Sequence, residues 1–420
     1  MKPKKYELLA PAGNFEKLQI ALHYGADAVY MGIPELSLRG KMKDMNLDVL
    51  KESIDYVKKQ NKKIYVTMNI FPHNKDLPLI VENLKILEEW KPHAIIFSDP
   101  AVLRLAKKYA PSIPLHISTQ ANVTNVEAAK FWVDLGVERI ILAREVSIEE
   151  IKQFREELNC ELEAFVHGSL CIAYSGKCYM SAYMANRSAN KGECTNSCRW
   201  KYTVYYLKEE TRDGQFFPVY EDDRGTYVMS SKDLCMIEHL PLLADAGVNS
   251  FKIEGRMKGI NYLAGVVKTY REAIDSLEKQ NFILQEKWLK ELNMFSNRGY
   301  TTGMYFGPHP IDGYQHDGRS RNTLELGLAG IVQQVDEDGV WLLARDKIYI
   351  NDSIVFLRNG LEEEIFTIKE IRTSNKSMEL LKNAEIAKLI LDKPILNIEP
   401  LDIARKIKMP ICENKHEVFS

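Results

Sequence analysis

Short apolar runs alternate with amphipathic stretches through the larger part of this chain, and that rhythm limits the fold more than any other feature. The runs fall at 6–12, 26–33, 63–71, 94–98, 115–119, 139–143, 161–166 and 250–253. Between them lie helical patterns such as 47–59, where Leu47, Leu50, Ile54 and Val57 recur at three- and four-residue steps. Strand–helix alternation lays successive strands parallel, and eight units close a (β/α)₈ TIM-type barrel of about 250 residues. An open doubly wound sheet is the alternative. No G-x-G-x-x-G follows the first run to announce its usual dinucleotide.

Three joints repeat one grammar: His23-Tyr24-Gly25-Ala26, Asp134-Leu135-Gly136-Val137 and Asp245-Ala246-Gly247-Val248. A glycine just past a helix closes it in the left-handed conformation, and the next residue opens a strand. From about Leu324 the period drops to two, in "GLAGIVQQV", "GVWLLAR", "SIVFLR" and "EEIFTIKEI", parted by Asp338-Gly339, Asn351-Asp352 and Asn359-Gly360. That predicts a small β-barrel. The expected organisation is a barrel over 1–300, a linker over 301–323, the β domain over 324–408 and a frayed tail over 409–420. Helices at 260–279 and 286–295 are assigned to the first barrel.

One connection breaks the rhythm. The stretch 169–235, after the seventh run, is far longer than a βα loop, and an insertion there falls on the active face of a barrel. Within it, 201–207 and 216–220 read as a hairpin about Asp213-Gly214. The insertion also gathers Cys171, Cys178, Cys194, Cys198 and Cys235, five of the seven cysteines, leaving Cys160 and Cys412 apart. The segment Met1-Lys2-Pro3-Lys4-Lys5-Tyr6 has charges with no apolar stretch behind it, so a secretory signal is not expected and a cytoplasmic, reducing setting is. No apolar run is long enough to cross a membrane. Clustered thiols in that setting point to metal or redox chemistry.

Four thiolates hold either tetrahedral zinc or an iron–sulfur cluster. Only Cys194-x3-Cys198 approaches the short knuckle of a structural zinc site, and ligands spread over several loops suit a larger cluster. Zinc and unligated, buried thiols are the competing readings.

The strand ends supply the rest of a cavity. Glu7, Asn69, Ser118, Gln120, Arg144, Glu145, Lys252, Glu254 and Arg256 are placed at or just past C-terminal strand positions. Lys252, Glu254 and Arg256 alternate along the eighth strand and so share a face. They either bind an acidic substrate or pair among themselves, Glu254 with Arg144 or Arg256. His167 ends the seventh strand, as a site residue or as hydrogen-bonded scaffold. No HExxH, G-x-S-x-G or Cys–His protease spacing occurs, so a serine or aspartic hydrolase lacks its machinery.

The net charge of −2 offers no general field for a polyanion, so a nucleic-acid partner would need a local basic patch. The stretch 186–206 interleaves Arg187, Lys191, Arg199 and Lys201 with Trp200, Tyr202 and Tyr205. That composition suits stacking on unpaired bases, and equally an amphipathic hairpin.

"EAFVHGSLCIAYSGKCYMS", "GECTNSCRWKY", "SSKDLC", "SFKIEGRMK" and the opening "ELLAPAGNFEKLQIALHYGADAVYMG" resemble the collagenase-like peptidase family of unassigned catalytic type, over the whole barrel. The resemblance implies a [4Fe–4S] cluster, with Cys171, Cys178, Cys194 and Cys235 as ligands carried over by position and Cys198 as a fifth, unassigned cysteine. Arg199 beside it would contact phosphate or substrate. A barrel with one added β domain is similar to the branch that 5-hydroxylates the wobble uridine of tRNA with prephenate as hydroxyl source. In that reading His167, Arg144, Lys252, Glu254 and Arg256 act at the mouth, Lys252 and Arg256 hold a dicarboxylate, and tRNA and an electron-donor protein are partners. The alternatives are a metal-dependent peptidase, as the family name suggests, a hydroxylase of another RNA or a small aromatic substrate, and a non-enzymatic adaptor. Oligomeric state is left open.

Overall fold

The computed structural model describes residues 5–38, 45–171, 173–199, 220–222, 225–227, 231–295, 297–307, 326–359, 364–373 and 376–407. They fall into two compact units: one within 1–258, 269–285 and 297–321, the other within 259–268, 286–296 and 322–420. Segments 259–268 and 286–296, assigned to the barrel from sequence, thus cluster with the second unit. The expected hairpin over 201–207 and 216–220, Tyr220 excepted, most of the 301–323 linker and the 409–420 tail lie outside the described residues.

All eight expected barrel strands form: β1 (Glu7–Pro11), β2 (Ala28–Gly32), β3 (Lys63–Met68), β4 (Ala94–Phe97), β5 (Leu115–Ile117), β6 (Arg139–Ile141), β7 (Glu161–Ser169) and β8 (Ser250–Ile253). They pair parallel in chain order. β8 closes the ring, with Ser250 opposite both Glu7 of β1 and Glu163 of β7. Each strand is buried over most of its length, because helices cover one face and neighbouring side chains fill the other.

The helices start where the sequence places acceptors. Asn14, Asn46, Asp99, Asn125 and Ser147 each accept a backbone N–H in the first turn of α1 (Phe15–His23), α2 (Leu47–Lys59), α4 (Pro100–Tyr109), α5 (Val126–Asp134) and α6 (Ile148–Glu157). The helix α3 (Leu77–Trp90) has proline in its first turn instead. Gly25, Gly136 and Gly247 adopt φ of +102°, +77° and +96°, the left-handed closure that their repeated setting predicts.

An ionic chain runs through the barrel interior. Arg139, 2% exposed, donates to Glu7 at 2.6 Å, to Glu163 at 2.9 Å and to Glu161 at 2.5 Å. Glu163, wholly buried, then accepts from Lys252 Nζ at 2.6 Å. Glu7, which the sequence reading sets at the mouth, is the first residue of β1 and lies at the opposite end of the barrel.

Burial alone would raise the Glu7 carboxyl. The Arg139 guanidinium, the Tyr65 hydroxyl and Lys63 outweigh it and hold the carboxyl at about 2, against an ordinary value of 4.5. A carboxyl depressed on folding contributes stability that is complete above the unfolded value and lost as pH falls through the folded one. Urea midpoints are therefore expected to fall between pH 4.5 and about 2, and Glu7→Gln to flatten that decline. A slope unaltered by the substitution would refute the assignment.

The second unit is an antiparallel six-stranded barrel. Its strands are β9 (Leu326–Val335), β10 (Val340–Ala344), β11 (Ser353–Leu357), β12 (Ile365–Arg372), β13 (Ile386–Leu391) and β14 (Ile403–Ile407), in order β11-β14-β9-β10-β13-β12 with β12 pairing back to β11. Closure removes free edges. Leu342, Phe356, Phe366, Ile368, Leu389 and Ala404 fill its core. Arg405 of β14 makes a bidentate pair with Glu291, at 3.0 and 2.6 Å, and donates from Nε to Asn261 Oδ1 at 2.7 Å. Those contacts tie segments 259–268 and 286–296 into this unit.

Candidate functional site

A cavity opens at the C-terminal ends of the barrel strands. Its floor comes from the strands and their ends: Tyr30 of β2, Thr67 and Asn69 by β3, Ser118 and Gln120 after β5, and Phe165 of β7. Arg144, Glu145, Lys252, Glu254 and Arg256 add three cations and two carboxylates. The roof is the insertion, through Cys171, Tyr174, Ser175, Cys178, Asn190, Cys194 and Cys198.

The local sequence explains how the roof is held. In Tyr174-Ser175-Gly176-Lys177-Cys178, the Ser175 N–H donates to Glu145 Oε1 at 2.9 Å, and Ser175 Oγ accepts the Arg144 N–H at 3.2 Å. Gly176 has φ of +72°, and a Cβ there would meet the Gln120 carbonyl oxygen at 2.0 Å. Only glycine lets the loop lie against the end of β5. Further along, the Phe71 N–H donates to the Asn190 carbonyl at 3.0 Å, and Lys191 pairs with Asp76 at 3.0 Å. Past α7 (Met180–Ala185), Cys194 Sγ accepts the Asn196 N–H at 3.4 Å.

Four cysteines, Cys171, Cys178, Cys194 and Cys198, therefore line one cavity, and none is in a disulfide. Cys235 does not line it. It sits on a short strand, Asp233–Cys235, that pairs antiparallel with the end of β7, opposite His167. Its sulfur lies 3.8 Å from the Tyr270 hydroxyl, and burial pushes the thiol up to about 11. Of the set carried over by resemblance, Cys171, Cys178 and Cys194 line this cavity and Cys235 does not, while Cys198 lines it as well. Arg199 falls where its side chain is not described.

Among the described residues, no three His, Cys, Asp or Glu side chains stand close enough to hold one metal ion. A tetrahedral zinc would draw its sulfurs to within about 3.8 Å of one another.

His167 is also absent from the cavity lining. It is buried between the rings of Tyr270 and Tyr300, each 5.4 Å away, and burial drops its pKa to about 3. Strand alternation would turn it inward with Phe165. However, the β7–β8 register slips there: Lys252 faces Phe165 and Ile253 faces His167, so one extra residue on β7 reverses the phase. Gly168, at φ +108°, follows, and a Cβ on it would meet the Glu254 carbonyl oxygen at 2.4 Å. Since that obstacle is backbone, Gly168→Ala is expected to cost about 1–3 kcal/mol or more. A chemical melt indistinguishable from wild type would contradict this.

The mouth charges are mutually engaged. Arg144 donates to the Ser169 carbonyl at 2.5 Å, stacks on Phe165 at 4.2 Å and stands 3.7 Å from Glu254. Arg256 donates to Thr67 Oγ1 at 3.2 Å and to the Leu38 carbonyl. Burial lowers the Lys252 pKa, partly offset by Glu163, and the ammonium rests 4.6 Å over the Tyr30 ring. Glu145 Oε2 is buried and has no hydrogen-bond partner among the described residues. The sequence reading put Glu145 at the mouth but gave it no role. Its free oxygen appears only once the loop above it is in place.

This fold and site define a (β/α)₈ barrel whose mouth is roofed by a cysteine-bearing insertion. The chain belongs to peptidase family U32, whose model matches residues 13–314. It is 38% identical to tRNA hydroxylation protein P1 of Bacillus subtilis over 413 residues, 96% of each chain. A collagenase of Porphyromonas gingivalis is 30% identical, covering 90% of this chain and 93% of that one. The 23S rRNA 5-hydroxycytidine C2501 synthase of Escherichia coli is 35% identical over 65% of this chain and 40% of that protein. No described helix is long and apolar enough to cross a membrane.

Proposed function

We propose that this protein is an RNA-modifying enzyme that 5-hydroxylates uridine in tRNA, with a [4Fe–4S] cluster on Cys171, Cys178, Cys194 and Cys198 and prephenate as hydroxyl source. The observation that carries the reading is near full-length similarity to a tRNA hydroxylation protein, in a chain whose barrel mouth is lined by four cysteines outside any disulfide. Four thiols from one insertion are the donor type and number that a cluster takes. Bound there, the cluster would supply one-electron redox chemistry beside the cavity.

The chain's own groups have other tasks. Arg144, whose contact with Glu254 is long at 3.7 Å, exchanges that partner for a carboxylate of the co-substrate. Arg256 and Lys252 hold the second carboxylate from the β8 side. Phe165 and Tyr30 wall the cavity and exclude water from the co-substrate ring. Glu145 Oε2 accepts a donor from the base that enters.

Among the described residues no histidine lines the cavity, so the peptidase reading has no imidazole to draw on there. Mass spectrometry of bulk tRNA from a deletion strain tests the proposal. Derivatives of 5-hydroxyuridine should vanish, return with the wild-type gene and stay absent with Cys171→Ala or Cys178→Ala. Unchanged derivatives in the deletion strain would end it.

A further inference from the structure

Three tyrosines on the roof of the cavity are exposed where apolar rings ordinarily are not. Tyr174 is 60% exposed, Tyr179 74% and Tyr183 80%. Tyr174 lines the cavity itself, at the head of the turn in which the Lys177 N–H donates to the Tyr174 carbonyl. Tyr179 is the N-cap of α7, and the Tyr183 N–H donates to the Tyr179 carbonyl at 3.0 Å. Residues four apart along a helix start lie on one side of it, which places Tyr179 and Tyr183 on the same side of α7.

The charge around them is one-sided. With Lys191 paired to Asp76, the stretch from Cys171 to Cys198 keeps Lys177 and Arg187 against Glu193, in a chain whose net charge is −2. Lys177 and Arg187 are exposed. An aromatic surface with a local positive surplus, continuous with a cavity, complements a strand of phosphates carrying unstacked bases. A protein partner would be served by the rings alone and would have no use for the surplus.

We infer that Tyr174, Tyr179 and Tyr183 form a stacking rim for the unpaired bases of an RNA loop, which hands one nucleotide to the cavity. The inference rests on the proposed RNA substrate and assigns its docking surface. Stacking on Tyr179 and Tyr183 holds the flanking bases, while Tyr174 receives the nucleotide that leaves the stack.

The test is equilibrium binding of a fluorescent anticodon stem-loop RNA to the full-length protein, with a fully paired duplex of equal length as control. Wild type should prefer the loop. Tyr179→Ala and Tyr183→Ala should each weaken loop binding by about 5- to 150-fold, the range for losing one stacked base, while Tyr→Phe at the same positions keeps it. All four side-chain changes are at the surface, so melting temperatures should match wild type. If the alanine variants bind the loop as tightly as wild type, the rim is overturned while the tRNA reading stands. If wild type binds no RNA, the functional reading fails with it. Alanine variants that change only self-association on sedimentation would make the rim a protein contact, and would also overturn the inference.

Discussion

On the proposed reading, anaerobically purified protein should bind iron with a brown thiolate-to-iron colour, lose both when Cys171, Cys178, Cys194 or Cys198 is changed to alanine, and keep both when Cys235 is. The first four share one cavity, whereas Cys235 packs its sulfur against Tyr270 behind β7. Iron content should fall close to zero in each of the four variants, since a cubane with three thiolates has an iron open to solvent. Modification of tRNA should fall with it, by at least the 10- to 100-fold typical of losing support around a metal site. The decisive pair is Cys198→Ala against Cys235→Ala. The opposite pattern, with Cys235 needed and Cys198 dispensable, would mean that the end of β7 and its paired strand must rearrange to deliver Cys235.

Replacing Arg139 by methionine should destabilise the protein by about 3–5 kcal/mol, the cost of leaving buried charge uncompensated. Glu7 and Glu163 both accept from the Arg139 guanidinium, and Glu163 is wholly buried. Lys252 would remain as the one cation on Glu163, at 2.6 Å. Pairing Arg139→Met with Glu7→Gln should recover part of the loss, because the second change removes one of the stranded charges. Urea unfolding of the two single variants and the double measures this coupling. Strict additivity would show that Arg139 acts through packing alone. The same network bears on the cavity, since it fixes Lys252 at the floor. Arg139→Met should therefore weaken binding of a dicarboxylate even in the fraction that remains folded.

Much of the barrel was legible because its signals are local. Asn14, Asn46 and Asn125 cap helices by reaching a backbone N–H within three residues, and Gly25, Gly136 and Gly247 close helices through their own φ. Neither needs a distant partner. Two strands of the second unit, β13 and β14, were not picked out. Their burial comes from closing a barrel with residues far away in sequence, as in the pairing of Val340 with Leu389 and Ile331 with Ile403. Glu7 was misplaced for a simpler reason: a charged residue next to an apolar run does not say which end of the strand it occupies.

The candidate site divides along the same line. Periodicity and glycine placement alone determined an eight-stranded barrel, an oversized seventh connection and a cluster of thiols within it. Tertiary structure decided which sulfurs meet and which way His167 faces. A single extra residue between Phe165 and His167 reverses the strand's phase, and only the pairing of β7 with β8 reveals it. Likewise the path of the insertion depends on Gly176 lying against Gln120 and on Asn190 bonding to Phe71, contacts between segments that sequence order keeps far apart.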